Sequence, residues 1–286
     1  LMSRLVSVEV RTLGQLSGGD SSFRLPWFQR AYSWSTPQAA RLLADLLDGM
    51  ARKDPHDDFL LGTLMLADVP ERVGLAVIDG HQRIVTLTIL FAVLRDLGTG
   101  AALRAALDDC IVLRQAGRYR FAPQPGAAAF VEAAVQRDGA TLAATTDCGE
   151  ETLSESERRI LEVRDFLLER LSSGERAPEL RHGLAAFLRD RCRIVVHIFD
   201  SEDLAWRVLN TDEDTRLPFE PGAQAKTTIL GMMPPEDRAA AVVKKIDPAD
   251  VKNAVEGVVA KGQFFCIGMR YLQGQAPTPD IFHAAV

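Results

Sequence analysis

Short runs of strand-like and helix-like patterning succeed one another over the first hundred residues. Apolar and polar positions alternate through residues 3–16, which predicts a strand or a strand running into a helix. A "GGDSS" loop follows at Gly18–Ser22, and Pro26 forces extended backbone on the residue before it in "FRLPWFQRAYSW". "STPQAARLLADLLDGM" predicts a helix with Thr36 as its cap and Pro37 at the first helical position. Leu42, Leu43, Leu46, Leu47 and Met50 form its apolar face, and Gly49 marks its end. "DFLLGTLMLAD" (Asp58–Asp68) and "GLAVID" (Gly74–Asp79) read as two strands of a hairpin. A helix is then expected from Ile84 to Leu97, stopped by Gly98.

From Gly100 to Arg191 the pattern is mostly helical, with loops near "RQAGRYRFAPQPG" and "TTDCGE". Ser154 and Glu157 predict a capping box at the head of "RRILEVRDFLLERL". "CRIVVHIFD" (Cys192–Asp200) predicts a late strand and "SEDLAWRVLN" a helix; "EPGAQAKTTILGMM", "PPEDRAAAVVKKI" and "PADVKNAVEGVVAKG" predict further helices. The polar stretch 140–153 reads either as a hinge or as an ordinary surface loop. The expected fold class is α+β. An α/β domain spans residues 1–98, and a mainly helical region spans 99–286, with one strand at 192–199 free to return to the first domain's sheet.

Composition narrows the function classes. Hydrophobic residues are 47% and charged residues 25% of the 286, as expected for a globular chain with a core. The net charge of −6 advertises no general polyanion-binding surface, so any contact with DNA or nucleotide must come from a local basic cluster. Cys110, Cys148, Cys192 and Cys266 form no CxxC pair, and the five histidines no HExxH, which argues against a structural zinc site. Isolated cysteines suit a reducing cytoplasm. "LMSRLVSVEVRTLGQL" is too short and interrupted for a signal peptide, and "IVTLTILFAVL" falls well short of a membrane span. A cytoplasmic protein with no membrane partner is expected.

The densest chemistry is Asp79-Gly80-His81-Gln82-Arg83, between a strand's end and a helix's start. Unpaired N–H groups and the positive dipole end suit a phosphate there, Gly80 permits close backbone approach, and Arg83 offers a bidentate fork. Gln82 could orient a water and Asp79 could hold a metal or the arginine. Equally, Asp79 merely caps the helix and Arg83 pairs with it on the surface. A second cluster runs from Pro26 to Trp34. Its aromatics Trp27, Phe28 and Trp34 either stack a base or anchor a core, while Gln29 and Arg30 are harder to bury. "GAQAKTT" (Gly222–Thr228) echoes a phosphate-binding loop but lacks the second glycine before the lysine, so Lys226 is either a basic helix residue near the site or simply solvated. No GxSxG, HNH or metal-ligand set appears.

In order and spacing, "FRLPWFQRAYSW", "LLADLLDGM", "DDFLLGTLML" and "VIDGHQRIVTLTIL" resemble the DGQQR-motif family. This is the N-terminal domain of GmrSD-type modification-dependent restriction proteins and of the phosphorothioate-sensing SspE type. The resemblance covers residues 5–98 well and 190–232 more loosely, where "AWRVLNTDEDTRLPFEPGAQAKTTILG" is similar to a second family signature. It implies a ParB/sulfiredoxin-like small mixed sheet with helices, followed by a mainly helical region. It implies NTP hydrolysis, GTP favoured, on meeting modified DNA, licensing an HNH-type nuclease that is fused or separate. The DGQQR positions fall on Asp79, Gly80, His81, Gln82 and Arg83, with Asp79, Gln82 and Arg83 in the catalytic roles. An IPxYQRxYxW block falls on Leu25, Pro26, Phe28, Gln29, Arg30, Tyr32 and Trp34. Gly62, Thr63 and Thr86 join the binding set, and Asn210 and Lys226 match the late signature.

There are departures. His81 stands where the first glutamine is usual, Phe28 where tyrosine is frequent, and "NTDEDTR" is more acidic than the usual late turn. Three readings follow. The first is an NTP-hydrolysing sensor, with Arg30 and Arg83 on phosphates, Gln82 positioning water, Asp79 organising the turn or a Mg²⁺ ion, and Trp27, Tyr32 and Trp34 walling the pocket. The second is a non-catalytic reader of modified DNA, and the third a metal-dependent nickase.

Overall fold

The computed structural model describes residues 5–52, 58–70, 72–98, 100–143, 153–174 and 177–211, and every structural statement concerns these. The helices expected beyond Glu220, Lys226 and most of the 140–153 stretch lie outside them. The chain divides into two compact units, Leu1–Pro26 with Ala31–Ala205, and Trp27–Arg30 with Trp206–Val286.

The fold class is α+β, as the patterning predicts. Strand β1 (Leu5–Thr12) becomes helix α1 (Leu13–Leu16) where Thr12 and Gln15 cap each other: Thr12 Oγ1 accepts from Gln15 N at 3.1 Å and Gln15 Oε1 from Thr12 N at 2.9 Å. After β2 (Phe23–Arg24) comes α2 (Thr36–Ala51), capped by Ser35 rather than Thr36, with Gln38 Oε1 accepting from Ser35 N. Gly49 does not end this helix. It is buried in the last turn, where an added Cβ would come 2.6 Å from the Phe59 ring and 3.1 Å from that of Phe187, so its smallness admits the neighbouring rings.

β3 (Phe59–Ala67) and β4 (Leu75–Asp79) form the expected antiparallel pair. Helix α3 runs His81–Asp96, three residues ahead of the expected start, because Gly80 completes the strand-to-helix reversal alone. α4 (Ala101–Ile111) follows. "RQAGRYRFAPQPG" is more than a loop: β5 (Val112–Leu113) leads into it, and it holds β6 (Arg118–Tyr119) and β7 (Phe121–Ala122). Two-residue strands carry no readable period, and they are fixed by pairing instead. α5 (Ala128–Val131) runs into a π-helical turn at Glu132–Gln136. The expected capping box opens α6 (Glu155–Ser172), and α7 (Ala177–Asp190), β8 (Cys192–Phe199) and α8 (Glu202–Thr211) complete the order.

The main sheet has the order β1-β8-β3-β4-β2-β7. β8 lies parallel to β3 and antiparallel to β1, so a strand 125 residues later in sequence, counting Ala67 to Cys192, becomes an interior strand. α3 packs against α4, α6, α7 and the π-helical turn and is buried on every side along its middle: all residues from Ile84 to Arg95 are buried. A helix apolar all round is a core helix, which is how "IVTLTILFAVL" avoids being a membrane segment. Among the described residues no helix is long and apolar enough to cross a membrane.

Polar groups that such a helix turns inward must be satisfied by protein. At its C-terminal end Arg95 is fully buried, and all five of its N–H groups have acceptors. Nε donates to Asp96 Oδ1 at 2.7 Å, Nη1 to Asp108 Oδ1 and Gln136 O, and Nη2 to the carbonyls of Val135 and Arg137. Asp96 in turn accepts from Gly139 N, Thr141 N and Thr141 Oγ1. Burial alone would raise the Asp96 pKa, but the hydrogen bonds from Arg95 and Thr141 and the Arg95 charge together hold it below the ordinary carboxylate value.

Arg95→Met should destabilise the fold by about 3–5 kcal/mol in urea unfolding, because Asp96 and several carbonyls lose their partner inside the protein. The stability that Asp96 supplies is complete above its unfolded pKa of about 4 and is lost as pH falls through its lower folded value. Arg95→Met should therefore flatten the acid limb of the stability profile, and an unchanged profile would rule out this coupling.

Candidate functional site

The Asp79–Arg83 turn is built by two glycines. Gly80 is the left-handed N-cap of α3 (φ 91°, ψ 7°). An added Cβ there would meet Leu64 Cδ1 at 3.0 Å and the Thr63 carbonyl oxygen at 3.3 Å, so both conformation and space demand glycine. Ile84 N closes the first helical bond onto Gly80 O at 3.1 Å, which leaves His81, Gln82 and Arg83 as the helix's opening turn. Across from it, β3 shifts its register against β8 between Leu60 and Thr63, and Gly62 sits in this bulge with φ 107°.

Arg83 lies in the space the bulge opens. Its Nη1 donates to Thr63 O at 3.2 Å, and a Cβ on Gly62 would sit 3.4–3.6 Å from the guanidinium atoms. Burial lowers the Arg83 pKa and the charge of Asp79 works against that; the net shift is downward, though arginine remains a cation. Asp79, Gly80, Arg83, Gly62 and Thr63 are thus gathered around one turn.

Gln82 is buried, and its amide is fully engaged. Oε1 accepts from Ser33 N at 2.9 Å and Trp34 N at 3.2 Å, while Nε2 donates to Ala31 O at 3.1 Å. Two backbone donors at one end and a backbone carbonyl at the other fix the amide's orientation. Nε2 must therefore also donate to His81 Nε2, 2.7 Å away. That assigns the His81 ring as an acceptor at Nε2: neutral, with its proton on Nδ1. The amide clamps Ala31–Trp34 against the first turn of α3.

A second tie reinforces the clamp. Thr86 Oγ1 donates its single proton to Gln82 O at 2.9 Å, so the Tyr32 hydroxyl, 2.8 Å from Thr86 Oγ1, is the donor in their bond. Burial pushes the Tyr32 pKa up to about 12, opposed by the bond to Thr86. Tyr32 is thus a buried anchor, and Trp34 packs half-buried against the core. The remaining expected residues fall elsewhere. Trp27, Gln29 and Arg30 belong to the second unit, where Trp27 and Phe28 meet edge to face at 5.6 Å and Phe28 meets Trp206 at 5.9 Å. Asn210 lies on α8 in that unit. Among the described residues, no group of three or more His, Cys, Asp or Glu side chains could hold a metal ion.

Sequence reasoning missed Ser33, whose contribution is a backbone N–H and leaves no trace in residue type. It also missed Arg95, whose signal was present as an arginine closing an otherwise apolar helix.

Gln82→Ala should cost about 0.5–1.5 kcal/mol of stability by removing the hydrogen bonds that hold the Ala31, Ser33 and Trp34 backbone. It should speed amide exchange at Ser33 and Trp34 by about tenfold or more, the factor that 1.4 kcal/mol corresponds to. Unchanged exchange at those two amides would sink the clamp.

A search of curated protein sequences finds no match to this chain. A family model described as the GmrSD restriction endonuclease, N-terminal domain, matches residues 12–219, which include β1's last residue, the whole turn and α8. By that match over well more than half its length, the chain belongs to the GmrSD restriction endonuclease N-terminal domain family.

Proposed function

We propose that this restriction-system domain is an NTP-hydrolysing sensor, with GTP favoured, whose nucleotide phosphates bind at the Asp79–Arg83 turn. The observation that carries the reading is Arg83. It is a partly buried cation, folded into the bulge at Gly62 beside a glycine-capped helix N-terminus. Backbone N–H groups and a guanidinium fork converging on one turn are the donors a phosphate requires. In this reading Gly80 admits the phosphate, Arg83 neutralises it, and Asp79 offers the single carboxylate that Mg²⁺ takes when nucleotide phosphates supply other ligands. Catalysis proceeds by positioning and charge neutralisation rather than by a covalent step. Modified DNA is the trigger and an HNH-type nuclease, fused or separate, the effector.

Gln82 takes a different role from water-orienter: its amide is spent on Ser33, Trp34, Ala31 and His81, so it positions the segment that follows Arg30 in sequence. The same observation favours a second reading, a reader of modified DNA that binds nucleotide without hydrolysing it.

Phosphate release from GTP, ATP and CTP, with and without modified DNA, tests both. Release that is stimulated by DNA and lost in Arg83→Ala is the expected result. Saturable, Arg83-dependent nucleotide binding without release would establish the reader. Release untouched by Arg83→Ala would remove the turn from the mechanism.

A further inference from the structure

A cavity of about 850 Å³ opens in the first unit, away from the Asp79–Arg83 residues. Its walls come from α1 and the loop after it, the end of α4 with the turn beyond, and the junction of α7 with β8. Four guanidinium groups line it, those of Arg114, Arg120, Arg189 and Arg193, together with Ser17 and Cys110. A volume of this order is that of a small-ligand site of roughly 300–1,000 Å³.

Arg120 sets the cavity apart. It is only 7% exposed, yet no carboxylate hydrogen-bonds or ion-pairs with it among the described residues. Its Nε donates to Asp109 O and its Nη1 to the carbonyls of Gly19 and Ser21, at 3.0 and 2.7 Å, all neutral acceptors. Its Nη2 has no protein acceptor among the described residues. Burial works against that charge, and the charges of Cys110, Asp109 and Asp20 offset it without a direct ion pair, so an anion entering the cavity would complete its pairing. Asp109 also lines the cavity; it pairs with Arg114, and its charge reaches Arg120 as well.

The other three arginines are paired but available. Arg114 is exposed and pairs with Asp108 and Asp109, Arg189 pairs with Asp190, and Arg193 with Asp58. The Arg189–Asp190, Arg193–Asp58 and Arg114–Asp109 pairs are exposed at both partners, and such pairs are weak. Burial pushes the Cys110 thiol pKa up, while a hydrogen bond with Ser17 and the charges of Arg189 and Arg120 pull against it, so these groups converge on one wall.

We propose that this cavity is a second anion site that takes a phosphate-bearing ligand, with Arg120 as its buried anchor and Arg114 and Arg189 as its rim. Planar guanidinium forks match oxyanions in pairs, which excludes a simple halide, and several such forks around one cavity suit the higher charge and greater number of oxygens of a phosphate. The phosphate belongs either to a free nucleotide-sized molecule or to the backbone of DNA. The inference does not rest on the function proposed for the Asp79–Arg83 turn.

Cys110 reports on the cavity from within. The test measures alkylation of the folded chain by N-ethylmaleimide, read peptide by peptide, with pyrophosphate, with short duplex DNA, or with neither. Ligand at about ten times its Kd should slow Cys110 labelling roughly tenfold while buried Cys192 is unchanged. An Arg114→Glu/Arg189→Glu double variant, altered only at the rim, should fold and lose the protection; Arg83→Ala should keep it. Protection by pyrophosphate supports a small phosphate ligand, and protection by DNA alone supports the backbone. Protection by neither, protection that survives the double variant, or protection abolished by Arg83→Ala would overturn the proposal.

Discussion

A helix buried on every side along its middle leaves its inward polar groups to protein rather than water, and α3 shows how much structure that requirement organises. Its apolar residues from Ile84 to Leu94 supply the core, but its first and last turns also bury polar groups, His81, Gln82, Thr86 and Arg95, that protein must satisfy. At the C-terminal end Arg95 gathers the π-helical turn, Asp108 and Asp96 into one network with no donor left over. At the N-terminal end Gln82 and Thr86 gather Ala31–Trp34. Both networks join segments far apart in sequence, so the helix acts as the axis on which distant loops are hung.

That arrangement divides labour within five consecutive residues. His81 and Gln82 point into the protein and hold the neighbouring segment, whereas Arg83 is only partly buried and reaches the bulge of β3. The difference follows from helical geometry, since successive side chains are turned by roughly 100°. Gly80 and Gly62 provide the clearance on either side: one allows the chain to reverse against Leu64, the other allows a guanidinium to lie against backbone. The His81 tautomer is a by-product of the same packing.

Much of the fold was legible where one element carries its own period. The β3–β4 pair, the α2 face and the Ser154–Glu157 cap are local patterns, and each stands where the residues predict it. The departures share a cause. Gly49 reads as a stop because glycine usually ends helices, yet it answers to Phe59 and Phe187, which arrive from elsewhere in the chain. β5, β6 and β7 were hidden because two residues cannot display an alternation. Of the candidate site, Asp79 to Arg83 were visible as a cluster of chemistry, but which side chains face inward was not.

The sequence by itself determined the class of the fold, the position of the strand-to-helix turn and the membership that its ordered motifs announce, because these depend on neighbours within a few residues. Only the tertiary structure decided that β8 enters the sheet between β1 and β3, that Gln82 is a clamp and that Arg120 is a buried cation beside a cavity. Each of these depends on partners about fifty to more than a hundred residues away. No local pattern of polarity records which distant carbonyl or amide a buried side chain will meet.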